Sequence, residues 1–194
     1  FEWIKVVIPQ IKGNKILEIG FGTGHLQAEL ITSGYQTYGL DQSAQMARIA
    51  SHRIFSKINQ NENRALSPLL VRGKAERIPF ADQSFETVVS TFPPEFIFKS
   101  TALKEVNRVL KSGGRYIVLL GVEIIGKSLP HRFLAWLYKI TFQSPPSYPD
   151  NRQLLCLFTE AGFKCSDAWS DNFSSRLIIL IAEKNHQTSI YPSC

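Results

Sequence analysis

The chain has 194 residues and a formal net charge of +6, a length that fits one domain with a substantial core and is short for two. No apolar run reaches the roughly 18 residues of a membrane-spanning helix, and no run of Lys or Arg exceeds two residues, so we interpret the positive charge as solvated surface. Three widely spaced cysteines without CxxC spacing argue against a disulfide framework or a metal site and favour a reducing cytoplasm.

The first predicted elements are an N-terminal arm over residues 1–14 and a short buried strand, KILEI, over residues 15–19. The strand is followed at alternate positions by three glycines, Gly20, Gly22 and Gly24. Glycine adopts positive φ without steric cost and lets a ligand approach the backbone, and the next helix presents free N–H groups at the same place. This arrangement predicts a parallel strand whose carboxyl end faces a ligand, with an ordinary turn that binds nothing as the alternative.

The residues around these glycines discriminate between three ligands. A phosphate-binding P-loop requires Gly-Lys-Ser/Thr, but this turn ends in Gly24-His25-Leu26. A dinucleotide site requires G-x-G-x-x-G/A, and here the third small residue falls one place early. The remaining interpretation depends on Glu18, because a carboxylate before the glycines repels a pyrophosphate and suits a cationic ligand.

A helix over residues 24–33, stopped by Gly34, and a second strand over residues 37–40 follow the glycine turn. That strand ends at Asp41, about twenty residues past the first glycine. An acid at this position of a βαβ unit accepts hydrogen bonds from both ribose hydroxyls of a nucleoside cofactor, a feature that NAD enzymes and S-adenosylmethionine (SAM) enzymes share. Ser43 is expected to cap the next helix, over residues 44–58.

The pattern Glu18-x-Gly20-x-Gly22-x-Gly24 resembles motif I of the class I SAM-dependent methyltransferases. Three later stretches resemble this family in the same order: LDQSAQM from residue 40, RGKAERIPFADQSFETVVST from residue 72, and RVLKSGG from residue 108. The resemblance implies a Rossmann-like α/β fold, with a mostly parallel seven-stranded sheet, one antiparallel strand near the C-terminus and helices on both faces. It also implies SAM as the cofactor and S-adenosylhomocysteine as the product.

By this resemblance, Glu18 and the loop of residues 20–24 hold the methionine end of SAM, and Asp41 binds the ribose. The other predicted cofactor-binding residues are Phe21 within that loop and six residues after the later strands: Gln42, Met46, Lys74, Ala75, Glu76 and Thr91. Met46 is equally well explained as a core residue. Lys74 departs from the family, which has Asp there, and Lys cannot accept a hydrogen bond from the adenine amino group. Either Glu76 or the backbone of Ala75 replaces that contact, or adenine is held more weakly.

The fourth predicted strand, over residues 85–90, leads into TFPPEF over residues 91–96, where the family holds the methyl acceptor. The stretch is comparable with the Asn/Asp-Pro-Pro-Tyr motif of enzymes that methylate amines in nucleic acids. However, Phe92 and Glu95 replace the motif's polar and aromatic residues, and Phe cannot accept a hydrogen bond, so nucleic acid is disfavoured. The acceptor-site candidates are Phe92, Glu95 and Phe96, and Glu95 either orients or deprotonates an acceptor or is an exposed loop charge.

The remaining predicted elements are a helix over residues 101–110 capped by Ser100, a turn at Gly113-Gly114 and a fifth strand over residues 116–120. Residues 121–149 form an aromatic insertion, where this family builds substrate specificity. His131 and Tyr138 are further acceptor-site candidates, although a helix packed by its aromatic stripe explains the pattern as well. A last helix over residues 151–161 and two strands, over 163–169 and 176–183, close the sheet as an antiparallel hairpin.

These observations predict a single methyltransferase domain over residues 1–194 that transfers a methyl group from SAM to a small, partly hydrophobic acceptor. The sulfonium is already a strong electrophile, so positioning supplies most of the acceleration, and we assign no catalytic residue and no metal. The alternatives are a non-catalytic SAM-binding scaffold, which Lys74 motivates, a nucleic-acid methyltransferase and, more distantly, a nicotinamide-dependent oxidoreductase. The atom that is methylated and the oligomeric state stay open.

Overall fold

The structure is a computed structural model that describes residues 2–60, 68–124, 151–172 and 175–185. The helices and strands are, in chain order, β1 Lys15–Ile19, α1 His25–Thr32, β2 Gln36–Asp41, α2 Ala44–Gln60, β3 Leu69–Arg72, β4 Phe85–Thr91, α3 Ser100–Val109, β5 Leu110–Ile124, α4 Asn151–Glu160, β6 Phe163–Asn172 and β7 Ser175–Lys184. Two 3-10 helices, Glu2–Gln10 and Glu95–Phe98, precede β1 and α3. Among the helices that the structure describes, none is long and apolar enough to cross a membrane.

The seven strands form one sheet in the order β3-β2-β1-β4-β5-β7-β6. The pairs from β3 through β5 are all parallel, and β7 runs antiparallel to both of its neighbours, β5 and β6. The strand order reverses between β1 and β4, and ligands of open α/β sheets bind in the crevice at such a switch point. The predicted sheet, with its one antiparallel strand, is confirmed.

Both faces of the sheet are covered, as expected for parallel strands that are joined by helices. On one face, Ile16, Val89 and Ile117 pack with Leu26 of α1 and Val7 of the first 3-10 helix. The opposite face packs against α3 and α4 in a cluster that includes Leu17, Val88, Leu103, Val106 and Phe158. Successive residues of a strand point to opposite faces, so Glu18 shares the face of Ile16 and lies on the α1 side of the sheet.

Strand β5 differs most from its prediction. It runs from Leu110 to Ile124 instead of over residues 116–120, because Leu110 pairs with Phe85 of β4 and β7 remains paired with the strand from Arg115 to Ile124. The predicted insertion therefore begins with strand, and its residues 125–149 lie outside the described part of the chain. Ser100 was expected to cap α3, but it is the first helical residue, and Lys99 occupies the cap position without a side-chain hydrogen bond.

Glu86 on β4 fastens the segment that leads into β1. Its carboxylate accepts hydrogen bonds from the backbone N–H groups of Asn14 (2.6 Å) and Lys15 (2.9 Å) and from Lys111 Nζ (2.8 Å). The Lys111 hydrogen bond, followed by the two backbone N–H groups, lowers the pKa of Glu86 to about 2. The start of β1, and with it the site at its other end, is thus held by a carboxylate that stays charged well below neutral pH.

Candidate active site

The candidate active site lies at the carboxyl ends of β1, β2 and β4. Glu18 lies opposite Val89 in the β1–β4 register, so the two strands reach Gly20 and Thr91 at the same level. Backbone hydrogen bonds tie the loops that follow: the N–H groups of Gly20, Gly73 and Phe92 donate to the carbonyls of Leu40 (2.7 Å), Asp41 (3.0 Å) and Leu119 (2.8 Å). The predicted segments are therefore brought together at one edge of the sheet.

The glycine turn has the backbone that the sequence predicted. Gly20, Gly22 and Gly24 all have positive φ, of 77°, 51° and 77°, a region that other residues enter only with strain. A Cβ at Gly20 would meet nothing within 4 Å, and one at Gly22 would meet only the carbonyl oxygen of Gly20 at 4.0 Å. The first two glycines thus leave open space beside the backbone, which is what a bound ligand requires.

Gly24 and Phe21 of the same turn serve packing. A Cβ at Gly24 would lie 2.7 Å from the Cβ of Ala50, so the missing side chain lets the start of α1 approach α2. The Phe21 side chain is 3% exposed and packs between α1 and α2 with Ile31, Ala50 and neighbouring residues. Neither position therefore offers a side chain to a ligand: Phe21 is buried, and Gly24 provides close packing of α1 on α2.

Asp41 shapes the glycine turn from the end of β2. Its Oδ2 accepts a hydrogen bond from the N–H of Gly22 (2.9 Å), and its Oδ1 accepts one from the N–H of Ser43 (2.8 Å). Ser43 in turn caps α2, since its hydroxyl accepts the N–H of Met46 at 3.3 Å. Each carboxylate oxygen has a second lone pair, so Asp41 can hold the turn and accept ribose hydroxyls at the same time.

Glu18 lies beneath the turn in a polar site that is closed to solvent. Its side chain is 1% exposed, and that of Gln27 on α1 is completely buried. Burial raises the pKa of Glu18 to about 8; a hydrogen bond from Gln27 lowers it and the charge of Asp41 raises it, both to a smaller extent. At neutral pH the carboxyl group is therefore mostly protonated, whereas the sequence had suggested a carboxylate.

The predicted adenine segment forms a tight turn next to β2, in which Arg77 N–H donates to the carbonyl of Lys74 at 3.1 Å. Ala75 is buried, and Lys74 is exposed. Glu76 is 3.4 Å from Lys99 Nζ in a partly exposed ion pair, and its backbone N–H is the main cause that lowers its pKa. Glu76 is thus already paired with a lysine, and the adenine contacts of Glu76 and of the Ala75 backbone stay predictions.

The loop after this turn is held by a network that the sequence reading missed. Arg108 of α3 donates to the carbonyls of Ile78 and Phe80, both at 2.9 Å, and to Asp82 at 2.6 Å. Its other contacts are with Glu105, at 2.7 and 2.9 Å. Glu105 completes the ring by accepting the N–H of Ile78 at 2.8 Å. Arg108 of the RVLKSGG stretch therefore supports the loop of residues 78–82, whereas Gly113-Gly114, predicted as a turn before the fifth strand, lies within β5.

The acceptor loop begins with a strained residue. Phe92 has φ 49°, which is rare for a bulky side chain, and the residue is 36% exposed. Glu95 is exposed and starts the second 3-10 helix, while Phe96 is half-buried against the α3 side of the core. The candidates His131 and Tyr138 lie outside the described residues.

Gln27 is the other residue that the sequence reading missed, and its signal was present. It lies three and four residues before Leu30 and Ile31, so it is a polar residue within the apolar stripe of α1. Gln42 and Met46 follow the end of β2, and their contact with the cofactor stays a prediction. Met46 is half-buried and belongs to none of the hydrophobic clusters that the described residues form.

A family model described as a methyltransferase domain matches residues 17–118, more than half of the chain. Together with the fold and the glycine turn, this match shows that the chain belongs to the methyltransferase-domain family, and that it is a class I SAM-dependent methyltransferase. The predictions of an enzyme and of SAM as its cofactor are confirmed.

Particular relatives extend the comparison. The chain is 31% identical over 180 residues to a demethylmenaquinone methyltransferase of Staphylococcus epidermidis, covering 78% of this chain and 68% of the relative. It is 25% identical over 186 residues to a ubiquinone/menaquinone biosynthesis C-methyltransferase (UbiE) of Rubrivivax gelatinosus, covering 87% of this chain and 69% of that protein. Among solved structures, YcgJ from Bacillus subtilis has the same fold, with a TM-score of 0.68 at 18% identity over 96% of this chain and 99% of its own.

The described residues fit SAM on three counts. Gly20 and Gly22 leave open space at the end of β1, Asp41 has acceptor capacity for a ribose, and the buried Glu18 has a carboxyl oxygen without a donor. An unpaired buried acceptor is costly, and an ammonium group such as that of the methionine moiety would satisfy it. Lys74, which cannot accept a hydrogen bond, does not affect these three features.

Proposed function

We propose that this enzyme transfers the methyl group of SAM to a carbon atom of a small aromatic acceptor of the hydroquinone type. Two lines of support converge on this class. The relatives that cover most of the chain are named as methyltransferases of demethylmenaquinone and of ubiquinone and menaquinone biosynthesis. The loop at the end of β4 adds apolar and aromatic side chains, Phe92 and Phe96, next to the level of the glycine turn.

The observation that carries this proposal is the placement of Phe92. Phe92 has a positive φ and is 36% exposed, so part of its apolar surface lies at the carboxyl edge of the sheet. Backbone strain of this kind costs on the order of 1–3 kcal/mol and is found preferentially at functional sites. An aromatic acceptor that stacks on the ring would bury that apolar surface.

In the proposed complex, Glu18 and the backbone at Gly20 and Gly22 hold the methionine end of SAM, Asp41 the ribose, and the backbone at Ala75 the adenine. When bound, SAM supplies a methyl group on a positively charged sulfur that is ready for in-line displacement. The protein contributes the alignment of the acceptor carbon with that methyl group, which is where most of the acceleration of such a reaction arises.

A carbon acceptor requires one further contribution. A hydroquinone ring becomes nucleophilic at carbon when a ring hydroxyl loses its proton. After methyl transfer, the ring proton at the methylated carbon passes to solvent and the hydroxyl oxygen regains its proton. Glu95 is an exposed carboxylate on the acceptor loop, and we propose that it takes the hydroxyl proton. His131 and Tyr138 remain proposed acceptor contacts, as does the domain assignment of residues 1–194 to one methyltransferase unit.

The test is an assay of the purified protein with methyl-labelled SAM and three acceptors: a short-chain prenyl naphthohydroquinone, a simple phenol without a tail, and a single-stranded oligonucleotide. Label is expected on a ring carbon of the first, weakly or not at all on the second, and not on the third. Phe92→Ala should raise KM for the hydroquinone at least tenfold, and Glu95→Gln should lower kcat.

The matched controls are Glu29→Gln, which changes a partly exposed carboxylate of α1 paired with Lys57, and a reaction without acceptor. Label on the oligonucleotide, or on an oxygen of the phenol in preference to the hydroquinone carbon, would refute the proposed acceptor class. A Phe92→Ala enzyme with an unchanged KM would refute the stacking role. The cytoplasmic location expected from the cysteine content stays a prediction.

A further inference from the structure

Two buried oxygen atoms beneath the glycine turn have no hydrogen-bond donor. They are Oε2 of Glu18 and Oε1 of Gln27, on side chains that are 1% and 0% exposed. The amide nitrogen of Gln27 is engaged, since it donates to the carbonyl of Tyr38 at 3.1 Å and hydrogen-bonds to the Glu18 carboxyl group. Two acceptor atoms of the site are therefore left without a donor, in surroundings where an unmade hydrogen bond costs on the order of 1–3 kcal/mol.

A proton on Glu18 satisfies part of this requirement, and a primary ammonium group satisfies all of it. A protonated carboxyl group has one O–H donor, whereas an ammonium has three N–H donors and a positive charge. Burial keeps the Glu18 carboxyl neutral in the empty protein, because an uncompensated charge is expensive in a site without water. An ammonium that arrives next to it compensates the charge and removes the reason for the proton to stay.

We propose that the ammonium group of SAM displaces a proton from Glu18, so that each binding event releases one proton, and that Gln27 is the positioning residue that holds the carboxyl group for this exchange. The Glu18 O–H proton passes to solvent, the carboxylate accepts an N–H of the ammonium, and no bond to carbon changes. This inference rests on the proposed cofactor contacts and goes beyond them, since it concerns proton coupling and assigns Gln27 a role.

The other titratable groups on the elements around Glu18 do not provide the same exchange. Asp41 on β2 raises the Glu18 pKa by its charge. His25 and Glu29 on α1, and Arg53 on α2, do not act on it, and the pKa of His25 itself is lowered by its burial. A proton released above pH 6.5 is therefore expected to come from Glu18 and not from His25.

The proposal has a quantitative consequence for affinity. Where the empty site is protonated and the occupied site is not, affinity rises about tenfold for each unit of pH. Between pH 6.0 and 7.0, the affinity for S-adenosylhomocysteine should therefore increase about tenfold in the native protein. In Glu18→Gln, which has no proton to release, it should stay flat.

The experiment is a calorimetric titration with S-adenosylhomocysteine at pH 6.5, in two buffers that differ in ionisation enthalpy, so that the number of protons released is measured directly. The native protein and the control Glu29→Gln should each release close to one proton, and Glu18→Gln none. In Gln27→Met, the proton should still leave, but the pH at which its release ends should move upward, because the hydrogen bond that lowers the Glu18 pKa is gone. The Glu18→Gln profile is subtracted to remove the titration of the ligand itself.

The outcomes separate this inference from the proposed function. Binding of S-adenosylhomocysteine without proton release, or with release that persists in Glu18→Gln, overturns the inference and leaves the cofactor assignment standing. A Gln27→Met protein that is merely less stable, with an unmoved release profile, overturns the positioning role. No binding at any pH overturns the cofactor contacts and the inference together.

Discussion

Asp41 combines two roles at the scale of a single residue. Its two oxygens hold the N–H groups of Gly22 and Ser43, and their remaining lone pairs are available to a ribose. The structure of the turn and the affinity for the cofactor therefore depend on the same carboxylate. Substitutions at Asp41 should affect stability as well as binding, which distinguishes it from a residue that only contacts a ligand.

Asp41→Ala is expected to lower the free energy of unfolding by roughly 1–3 kcal/mol, because two backbone donors lose their acceptor, and to weaken S-adenosylhomocysteine binding at least tenfold. Urea unfolding and calorimetric titration measure the two effects. Asp41→Asn keeps one acceptor oxygen and should retain part of the stability. Full stability in Asp41→Ala would show that the Gly22 and Ser43 contacts are not needed to hold the turn.

Residue-scale prediction from sequence succeeded where the chemistry is local. The glycines predict a turn with positive φ, and the position of Asp41 at the end of a predicted strand indicates that it lies next to this turn. The burial of Gln27 was not predicted, because a polar residue near the start of a helix normally faces solvent. Only the packing of α1 on the sheet shows that this side chain is buried. The protonation of Glu18 was missed for the same reason, since burial is a property of the folded molecule.

At the scale of elements, the glycine turn separates ligand approach from packing. Gly20 and Gly24 share a φ of 77°, so an alanine pays the same backbone cost at either position, roughly 1–2 kcal/mol. They differ in what a Cβ would meet: open space at Gly20 and the Cβ of Ala50, at 2.7 Å, at Gly24. Alanine substitutions at these two positions therefore allow the packing role and the ligand-binding role of the turn to be measured separately.

Gly24→Ala should be less stable than Gly20→Ala by about 1–3 kcal/mol, the typical penalty of an overpacked contact. Gly20→Ala should show the larger loss of S-adenosylhomocysteine affinity, because its methyl group enters the space left for the ligand. Denaturant unfolding and binding titrations of both variants provide the comparison. Equal stabilities would mean that α1 and α2 move apart without cost, and equal affinities would contradict the open side assigned to Gly20.

The hydrogen bonds of Arg108 and Glu105 to the loop of residues 78–82 are a second feature that acts between elements. They join α3 to this loop through two backbone carbonyls and one backbone N–H. Bidentate contacts of this kind depend on the planar guanidinium, which a lysine cannot reproduce. The sequence stretch RVLKSGG marked the fold, but the contact between residues 78 and 108 became visible only in three dimensions.

Arg108→Lys should therefore destabilise the protein by roughly 1–3 kcal/mol and accelerate amide hydrogen exchange at Ile78, whose N–H is held by Glu105. Lys57→Gln is the control, since its ion pair with Glu29 is partly exposed and such pairs contribute about 0–1 kcal/mol. Unchanged exchange at Ile78 in Arg108→Lys would show that the loop is held without the guanidinium.

For the whole molecule, the order of elements was the most predictable feature. Strands and helices alternate in sequence, and parallel connections are right-handed and short, so few arrangements of the sheet remain possible. The ends of β5 were not predictable, because Leu110 pairs with Phe85 of β4 and residues 115–124 pair with β7, which lies more than fifty residues further along the chain. Boundaries thus depend on the sheet, whereas the existence of the elements depends on local sequence.

Two glutamates with opposite pKa shifts predict how the stability of the whole molecule depends on pH. Glu18 has its folded-state pKa raised to about 8, so its contribution is fully present below its ordinary pKa of 4.5 and is lost as pH rises towards 8. Glu86 has its pKa lowered to about 2, so its contribution is present above pH 4.5 and is lost as pH falls towards 2. Both contributions are therefore present near pH 4.5. Stability is expected to fall as pH rises from there because of Glu18, and as pH falls because of Glu86.

Urea unfolding should therefore be measured between pH 3 and pH 8. As pH rises above 4.5, the free energy of unfolding of Glu18→Gln should rise relative to that of the native protein, by up to about 1.4 kcal/mol per pH unit. Above pH 4.5, Glu86→Gln should have a lower free energy of unfolding than the native protein, and this difference should shrink as pH falls. Its magnitude should stay below about 2 kcal/mol, because solvent screens a partly exposed carboxylate. Glu29→Gln should run parallel to the native profile throughout. A constant difference between native protein and Glu18→Gln across pH 5 to 8 would mean that the Glu18 carboxyl is charged in the folded state, and it would remove the basis for proton release on cofactor binding.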